Sequence, residues 1–462
     1  MADLSAELMH QFKSALGPDG VVQDSEIIAP HLQDWRDNPP GHTPVMLQPQ
    51  TTDEVAAILR LCQQTGTIIS VQGGNTGLVG GQTPQGEVLL SLRRLNQIRA
   101  LHPEDGLMIA EAGVTLDAAQ QAAAHHDLRL TVDLASSGTA TLGGMIATNA
   151  GGVMVLRHGM MRDQVAGLEV VLPTGEIWRD LRGLKKDNTG WDFKQLFVGS
   201  EGTLGVVTAA AVRLKPQPVE RVTALVAVER LADALTLYGD MDAHFGPHLE
   251  AVELIPAIGL EFVGRHMPDV PQPFTSPPPW SVLLEFTNGT SGLAAPVCDH
   301  LAQRWPQTVL AQTDTQRQNL WALREHLSAA QKPEGGSWKF DIAIPRRALV
   351  QFVEAAYPQI ERLCPGARPV TFGHIGDGNL HFNVSQPVGM DPATFKALYA
   401  QATEVVYDLV QAHEGSIAAE HGVGVMKGAA VAAQKPAIEL ALWRQMRHVF
   451  DPKGILNPRV LF

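Results

Sequence analysis

Cysteine is scarce in this chain: Cys62, Cys298 and Cys364 are the only three among 462 residues. They are far apart and odd in number, so neither a disulfide framework nor a CxxC metal motif is written here. Iron–sulfur clusters, which need about four cysteines each, are excluded as a built-in electron relay. No uninterrupted run of ~20 apolar residues occurs, the length a membrane-spanning helix needs. The N-terminus lacks a basic region followed by an apolar stretch, so no secretory signal is expected and a cytoplasmic location is the default. Positive charge is in deficit, with 35 Lys and Arg against 48 Asp and Glu, a net charge of −13. Nucleic acid and anionic membrane are therefore poor partners, and an anionic small molecule would need its own local Arg and Lys. Low-complexity tracts and repeats are also missing. With 45% hydrophobic and 18% charged residues, the composition is that of a globular chain of two or three domains.

Glycine, by contrast, is plentiful at 43 and clustered. Clusters of this kind mark backbone packed closely against a large ligand, because only glycine lets the main chain approach so tightly. An amphipathic helix is expected before Gly17-Pro18. The strand Val45–Leu47 follows, then the capping-box start Thr51-Thr52-Asp53-Glu54 of a helix to about Gln64, then the strand Thr67–Val71. This β–α–β unit opens into Gly73-Gly74-Asn75-Thr76-Gly77-Leu78-Val79-Gly80-Gly81, a loop whose amides suit phosphate oxygens. The spacing is neither GxGxxG nor a Walker A sequence, so the Rossmann and P-loop readings fail, and an ordinary Gly-rich turn stays open for the segment alone. A second small-residue stretch runs from Ser136 to Gly152 and a third from Gly199 to Gly205, ahead of the strand Val206–Val212. Between them, Val165–Leu172 and Glu176–Trp178 read as a hairpin. After Pro216-Gln217-Pro218 the character changes, and residues 219–410 read as a second domain of alternating strands and helices, with residues 400–413 helical.

The stretch Phe372-Gly-His374-Ile-Gly-Asp377-Gly378-Asn-Leu-His381-Phe-Asn383 is the most informative chemically. Asp377-Gly378 is a strong two-residue hairpin signal, because a type I′ turn needs positive φ at both central positions. A turn centred there places His374 opposite His381, on one face, where two imidazoles can share a metal ion. A second cluster, Ala418-Ala419-Glu420-His421-Gly422-Val423-Gly424, supplies a carboxylate and a neighbouring imidazole. Two histidines and a carboxylate with coordination positions left open suit a catalytic rather than a structural site. Adjacent residues on an extended chain point opposite ways, so Glu420 and His421 can serve one site only through a bend, which Gly422 and Gly424 are placed to permit.

Taken together these motifs, with Lys186-Asp187-Asn188-Thr189-Gly190 and Gln195-Leu196-Phe197, resemble the FAD-binding oxidoreductases of the vanillyl-alcohol oxidase class, over almost the whole chain from Pro44 to Pro458. Within that class the likeness is greatest to the D-2-hydroxyglutarate dehydrogenases, followed by the bacterial D-lactate dehydrogenases and the glycolate oxidase flavin subunits. The resemblance implies an α+β, two-domain FAD-binding fold. An FAD-binding domain would span residues 1–215, a substrate or cap domain with the metal hairpin 216–410, and a C-terminal segment, 411–462, would return to complete the active site. The cofactor's pyrophosphate would lie on Gly73, Gly74, Asn75, Thr76, Gly77, Gly80 and Gly81. Ser137, Gly138, Thr141, Gly143, Gly144, Thr148 and Asn149 would line it, as would Glu201, Gly202, Gly205, Val207 and Asn457. Some members attach FAD through a histidine in the first loop; Asn75 stands in that region here, which implies non-covalent FAD. Met161 stands where relatives often carry threonine.

The same resemblance implies His374, His381 and Glu420 as ligands of a divalent metal, with zinc suited to a His₂Glu set and Mn or Fe to similar sites. His421 would be the general base and a substrate contact; a free imidazole titrates near pH 6.5, suited to proton abstraction near neutrality. Arg324, Ser328, Lys339 and Asn383 would bind the substrate, a small anionic 2-hydroxy acid. Residues 321–328 read as one helix that puts Arg324 and Ser328 a turn apart. The expected reaction is oxidation of D-2-hydroxyglutarate to 2-oxoglutarate, by hydride transfer to the flavin. D-lactate, D-malate or glycolate as substrate stays open, and so does a non-catalytic flavin electron-transfer subunit. Electrons would leave to an external acceptor such as an electron-transfer flavoprotein or a quinone-linked partner, and relatives are often dimers.

Overall fold

The computed structural model describes residues 4–36 and 38–461. The chain divides into two compact units. The first runs to Gly152, resumes over Gly159–Gln217 and returns at Glu420; the second is Val153–His158 with Pro218–Ala419.

In the first unit the helix Ala6–Leu16 is capped by Ser5, whose side chain accepts from the Leu8 N–H at 3.1 Å, and it stops at Gly17. The expected β–α–β unit follows as Met46–Leu47, Thr52–Thr65 and Ile69–Gln72. Thr51 accepts from the Glu54 N–H at 3.2 Å, while the Glu54 carboxylate reaches the Gln50 N–H at 2.6 Å. The box is thus offset: the carboxylate binds the amide one residue before the cap. Helix positions Val55, Ile58, Leu59 and Cys62 are buried at the spacing of one face, against the strands Met46–Leu47, Val88–Ser91 and Ile69–Gln72, which run parallel. A second sheet of five antiparallel strands has the order Ile98–His102, Leu107–Glu111, Val206–Arg213, Val165–Val171, Ile177–Asp180. The expected hairpin is its last pair, with Val171 opposite Ile177. The chain's final segment docks beside the first Gly loop: Ile69 N–H donates to Ile455 O at 2.8 Å and Asn457 N–H to Ile69 O at 2.9 Å.

The second unit is built on one antiparallel sheet of seven strands, ordered Thr308–Leu310, Glu220–Val228, Trp280–Asn288, Leu249–Pro256, Arg368–His374, Asn379–Ser385, Ser337–Ala343. Its two faces follow from the period-2 alternation of each strand. One carries Leu225, Leu283, Val370 and Phe372 under the helices Ala257–His266 and Asp314–Glu325, which contribute Leu260, Val263, Leu320 and Leu323. The other presents Phe382 and Phe340 to Phe352 of Leu349–Leu363 and Tyr407 of Tyr399–Ala412. Ser416 exchanges both backbone hydrogen bonds with Ala343, at 2.9 and 2.8 Å, so residues up to Ala419 stay with this unit rather than leaving it at 411.

At the Glu334 turn one buried carboxylate gathers Arg265, His266 at 2.7 Å and Arg368 at 2.5 Å. Burial pushes this carboxyl up, but hydrogen bonds from Arg368, His266 and Arg265 outweigh it and hold the group at about 2. A depressed acid adds stability that is complete above the unfolded value of ~4.3 and is lost as pH falls through about 2. Allowing for the half-exposed Arg265, Glu334→Gln should cost about 1–2 kcal/mol at pH 7 in urea unfolding. The gap should close near pH 2; a gap that stays constant with pH would assign the loss to packing instead.

Candidate active site

The histidine hairpin is present, with a different turn. Phe372, not His374, lies opposite His381, and the strands end at His374 and Asn379. Ile375-Gly376-Asp377-Gly378 makes a four-residue loop in which the Gly378 N–H returns to His374 O at 3.1 Å. Gly378 has φ +86 while Asp377 is not in the left-handed region, so this is not the type I′ turn expected from Asp-Gly. The shift is by two residues, an even number, so the two histidines remain on one face as diagonal neighbours. Their ring centroids lie 5.7 Å apart. Tetrahedral ligation with Zn–N of roughly 2.0–2.1 Å sets two imidazole centroids roughly 5–6 Å apart, so the pair fits a shared ion.

Register gathers further polar groups on that face. Lys339 lies opposite Asn383 and Asp341 opposite His381. Asp341 is buried, with Oδ1 3.0 Å from Asn379 Nδ2 and 4.0 Å from His381 Nδ1. Asn383 is buried and donates to Gln331 Oε1 at 3.3 Å. On the other side, Glu253 pairs with His374 across the sheet. Its Oε1 sits 2.5 Å from His374 Nδ1, and its Oε2 accepts from Arg324 Nε at 2.6 Å. The guanidinium also lies over Phe372, 4.8 Å from the ring centroid. Burial raises the Glu253 carboxyl, but the charges and hydrogen bonds of His374 and Arg324 overcome it and hold the group at about 2. Arg324 and the half-buried Ser328 do not share one continuous helix. Asp314–Glu325 ends at His326, whose Nδ1 lies 2.8 Å from Ala322 O, and Leu327–Ala330 begins anew.

Elsewhere in this unit Asp240, His244 and His300 each offer a ligand atom within 4.8 Å of the others. One Asp240 oxygen already accepts from His300 at 3.0 Å and Trp305 Nε1 at 2.9 Å, with Arg304 3.3 Å away. That is complete as a hydrogen-bond network without an ion.

In the first unit the Gly loop lies flat against the second small-residue stretch. A Cβ on Gly74 would sit 1.9 Å from Thr139 O, so only glycine fits there. Thr141 Oγ1 and Asn75 Oδ1 are buried with no hydrogen-bond partner, and the space beside Gly138 is open. Orphaned acceptors and donors lining a small-residue surface fit a polar dinucleotide. Several residues expected at the cofactor also make bonds and packing contacts within the protein. Asn457 accepts from the Val71 N–H at 2.9 Å and donates to Glu201 O at 2.7 Å. Asn149 accepts from the Arg162 N–H at 2.8 Å, and Thr148 bonds back to Gly144 O at 3.0 Å. Gly143 is packed against Ala112 and Gly205 against Val170, while Val207 lies in the core. Gly73 packs against Thr141, Gly77 against Gln82, and Gly202 against Asn457.

Glu420 and His421 open the returning part of the first unit. Both Glu201 carboxylate oxygens accept backbone amides, from Val423 and Gly424, each at 2.8 Å. Burial pushes the Glu201 carboxyl up against these amides, which pull it down. Gly422 and Gly424 take φ +79 and +52, the bend expected after Glu420-His421. Arg36 Nη2 lies 3.5 Å from His421 Nδ1.

Comparison with known proteins shows the family and the fold. Residues 43–180 match the model of an FAD binding domain and 217–461 that of the C-terminal domain of FAD linked oxidases. The chain is 36% identical over 449 residues to a bovine (Bos taurus) protein named mitochondrial D-2-hydroxyglutarate dehydrogenase, covering 96% of this chain and 81% of that one. It is 35% identical over 434 residues to a D-2-hydroxyglutarate dehydrogenase of Xanthomonas citri pv. viticola, covering 93% and 90%. The chain belongs to the D-2-hydroxyglutarate dehydrogenase family of FAD-linked oxidases. It is a flavin-dependent dehydrogenase. Its fold is that of p-cresol methylhydroxylase, with a TM-score of 0.78 at 17% identity over 98% of this chain and 96% of that one. Among the described residues no helix is long and apolar enough to cross a membrane.

For this family member, sequence reading missed Glu253, Asp341, Gln331 and Arg36. Asp341 was within reach, since it alternates with Lys339 on one strand. Glu253 was not: it sits 121 positions from His374, and only the sheet order makes them neighbours.

Proposed function

We propose that this protein oxidises D-2-hydroxyglutarate to 2-oxoglutarate with non-covalent FAD and a divalent metal, zinc first. The observation that carries the reading is one sheet face holding His374, His381, Lys339 and Asn383, with Arg324 reaching the same face. The names of the relatives supply the substrate. His374, His381 and Glu420 would hold the ion. Ser416, pinned to Ala343 at the end of the Lys339 strand, lies only four residues before Glu420 along the chain. Such an ion would fix the hydroxyl and carboxylate of the substrate and lower the hydroxyl pKa. The flavin, when bound, supplies the hydride acceptor. His421 takes the hydroxyl proton, Arg324 and Lys339 bind the distal carboxylate, and Ser328 and Asn383 donate to substrate oxygens. Electrons then pass to an external acceptor, an electron-transfer flavoprotein or a quinone-linked partner. A homodimer in the cytoplasm is part of the same reading, with buried Cys62 and Cys364 compatible with a reducing compartment.

Anaerobic mixing with D-2-hydroxyglutarate should bleach the flavin band within the time of a turnover, and D-lactate, D-malate and glycolate should do so more slowly. No bleaching with any of the four would support the electron-carrier alternative. Acid precipitation should leave the yellow colour in the supernatant; colour in the pellet means a covalent link.

A further inference from the structure

Glu253 is a fully buried charged group on the face just described, with a side chain 1% exposed. It belongs to no expected ligand set. It stands opposite His374 in register, in the middle of the seven-stranded sheet. One oxygen is 2.5 Å from His374 Nδ1; the other accepts from Arg324 Nε at 2.6 Å. A carboxylate buried at this depth persists only if paired and hydrogen-bonded, and both of its oxygens are engaged by the two side chains proposed for opposite ends of the substrate.

We propose that Glu253 is a positioning residue that sets the ligating nitrogen of His374 and, through its second oxygen, the aim of Arg324. This rests on the metal reading above. A carboxylate can only accept, so the proton lies on Nδ1 and the ring presents its Nε2 lone pair to an ion. The contact also fixes the plane of the imidazole and raises its basicity as a ligand. The same anion accepts from Arg324 Nε at 2.6 Å and so fixes the plane of the guanidinium, while Phe372 lies beneath it at 4.8 Å. One buried group thereby couples two distances: ion to His374, and ion to distal carboxylate. A diacid of the right length satisfies both.

The test is Zn²⁺ affinity of the FAD-loaded protein, stripped with a strong chelator and titrated in competition with a chromophoric chelator. Glu253→Gln keeps the side-chain volume but frees the tautomer, and should weaken Zn²⁺ binding by about 10–100-fold. Its flavin spectrum should stay that of wild type. Glu253→Asp retains the charge and should recover part of the affinity; it also serves if the glutamine variant fails to fold. His374→Ala should lose more affinity than either. Wild-type protein that takes up no Zn²⁺ overturns the metal reading and this inference with it. Wild type that loads normally beside a glutamine variant, or an aspartate variant in its place, of unchanged affinity overturns the role of Glu253 alone.

Discussion

Replacing His381 with alanine should abolish most turnover of D-2-hydroxyglutarate, lowering kcat/KM by on the order of 10³-fold. A Lewis-acid metal is worth several kcal/mol to a developing alkoxide, and losing one of two imidazoles removes most of that. His381 is half-buried in the strand Asn379–Ser385, with Phe372 directly opposite and 5.0 Å between ring centroids. Alanine there leaves the backbone ladder and the hydrophobic layer beneath it intact, so the variant should fold and retain its yellow colour. Chelation of wild type should mimic it: substrate-dependent bleaching is lost while FAD stays bound, and Zn²⁺ restores it. The decisive comparison is the variant with added metal. A His381→Ala protein within tenfold of wild type, or chelated wild type that still bleaches, would falsify the metal's part in the reaction.

The second large effect concerns selectivity between diacid and monoacid. Lys339→Ala should lower kcat/KM for D-2-hydroxyglutarate by about 10–100-fold, the value of one charge-assisted hydrogen bond, and change D-lactate by less than about threefold. Lys339 is the better probe because Arg324 is shared. Arg324→Ala strips Glu253 of one of its two partners, and removing one member of a buried pair costs about 3–5 kcal/mol of stability. The ratio between the two substrates in the same variant cancels that loss. Both variants should shift the ratio toward lactate, with Arg324→Ala also melting earlier. Equal losses for both acids in Lys339→Ala would remove that lysine from the distal carboxylate.

Much of the architecture was readable from local chemistry. Thr51 before an apolar 3.6-residue period announces its helix, and the Val165–Val171 strand announces its hairpin through Pro-Thr-Gly. Turn detail was less secure. Asp377-Gly378 carries the strongest local hairpin signal, yet the fold uses a four-residue loop, because a tertiary ladder with Leu249–Pro256 also claims His374 and Gly373. That the histidines stayed on one face reflects an even register shift; an odd one would have sent His374 to the Phe382 side. The helix read over residues 321–328 is broken at His326, whose ring reaches the Ala322 carbonyl, a bond no periodicity encodes.

Residue order alone marked where glycine lets the backbone pack closely, paired two histidines on one hairpin, and placed a bend after Glu420-His421, since each of these is local: a steric demand, a strand period, a positive φ. The role of Glu253 could come only from the assembled sheet. A strand begun at Leu249 and one ending at His374 become neighbours through sheet order, and low-dielectric burial then turns an ordinary glutamate into the shared anchor of an imidazole and a guanidinium.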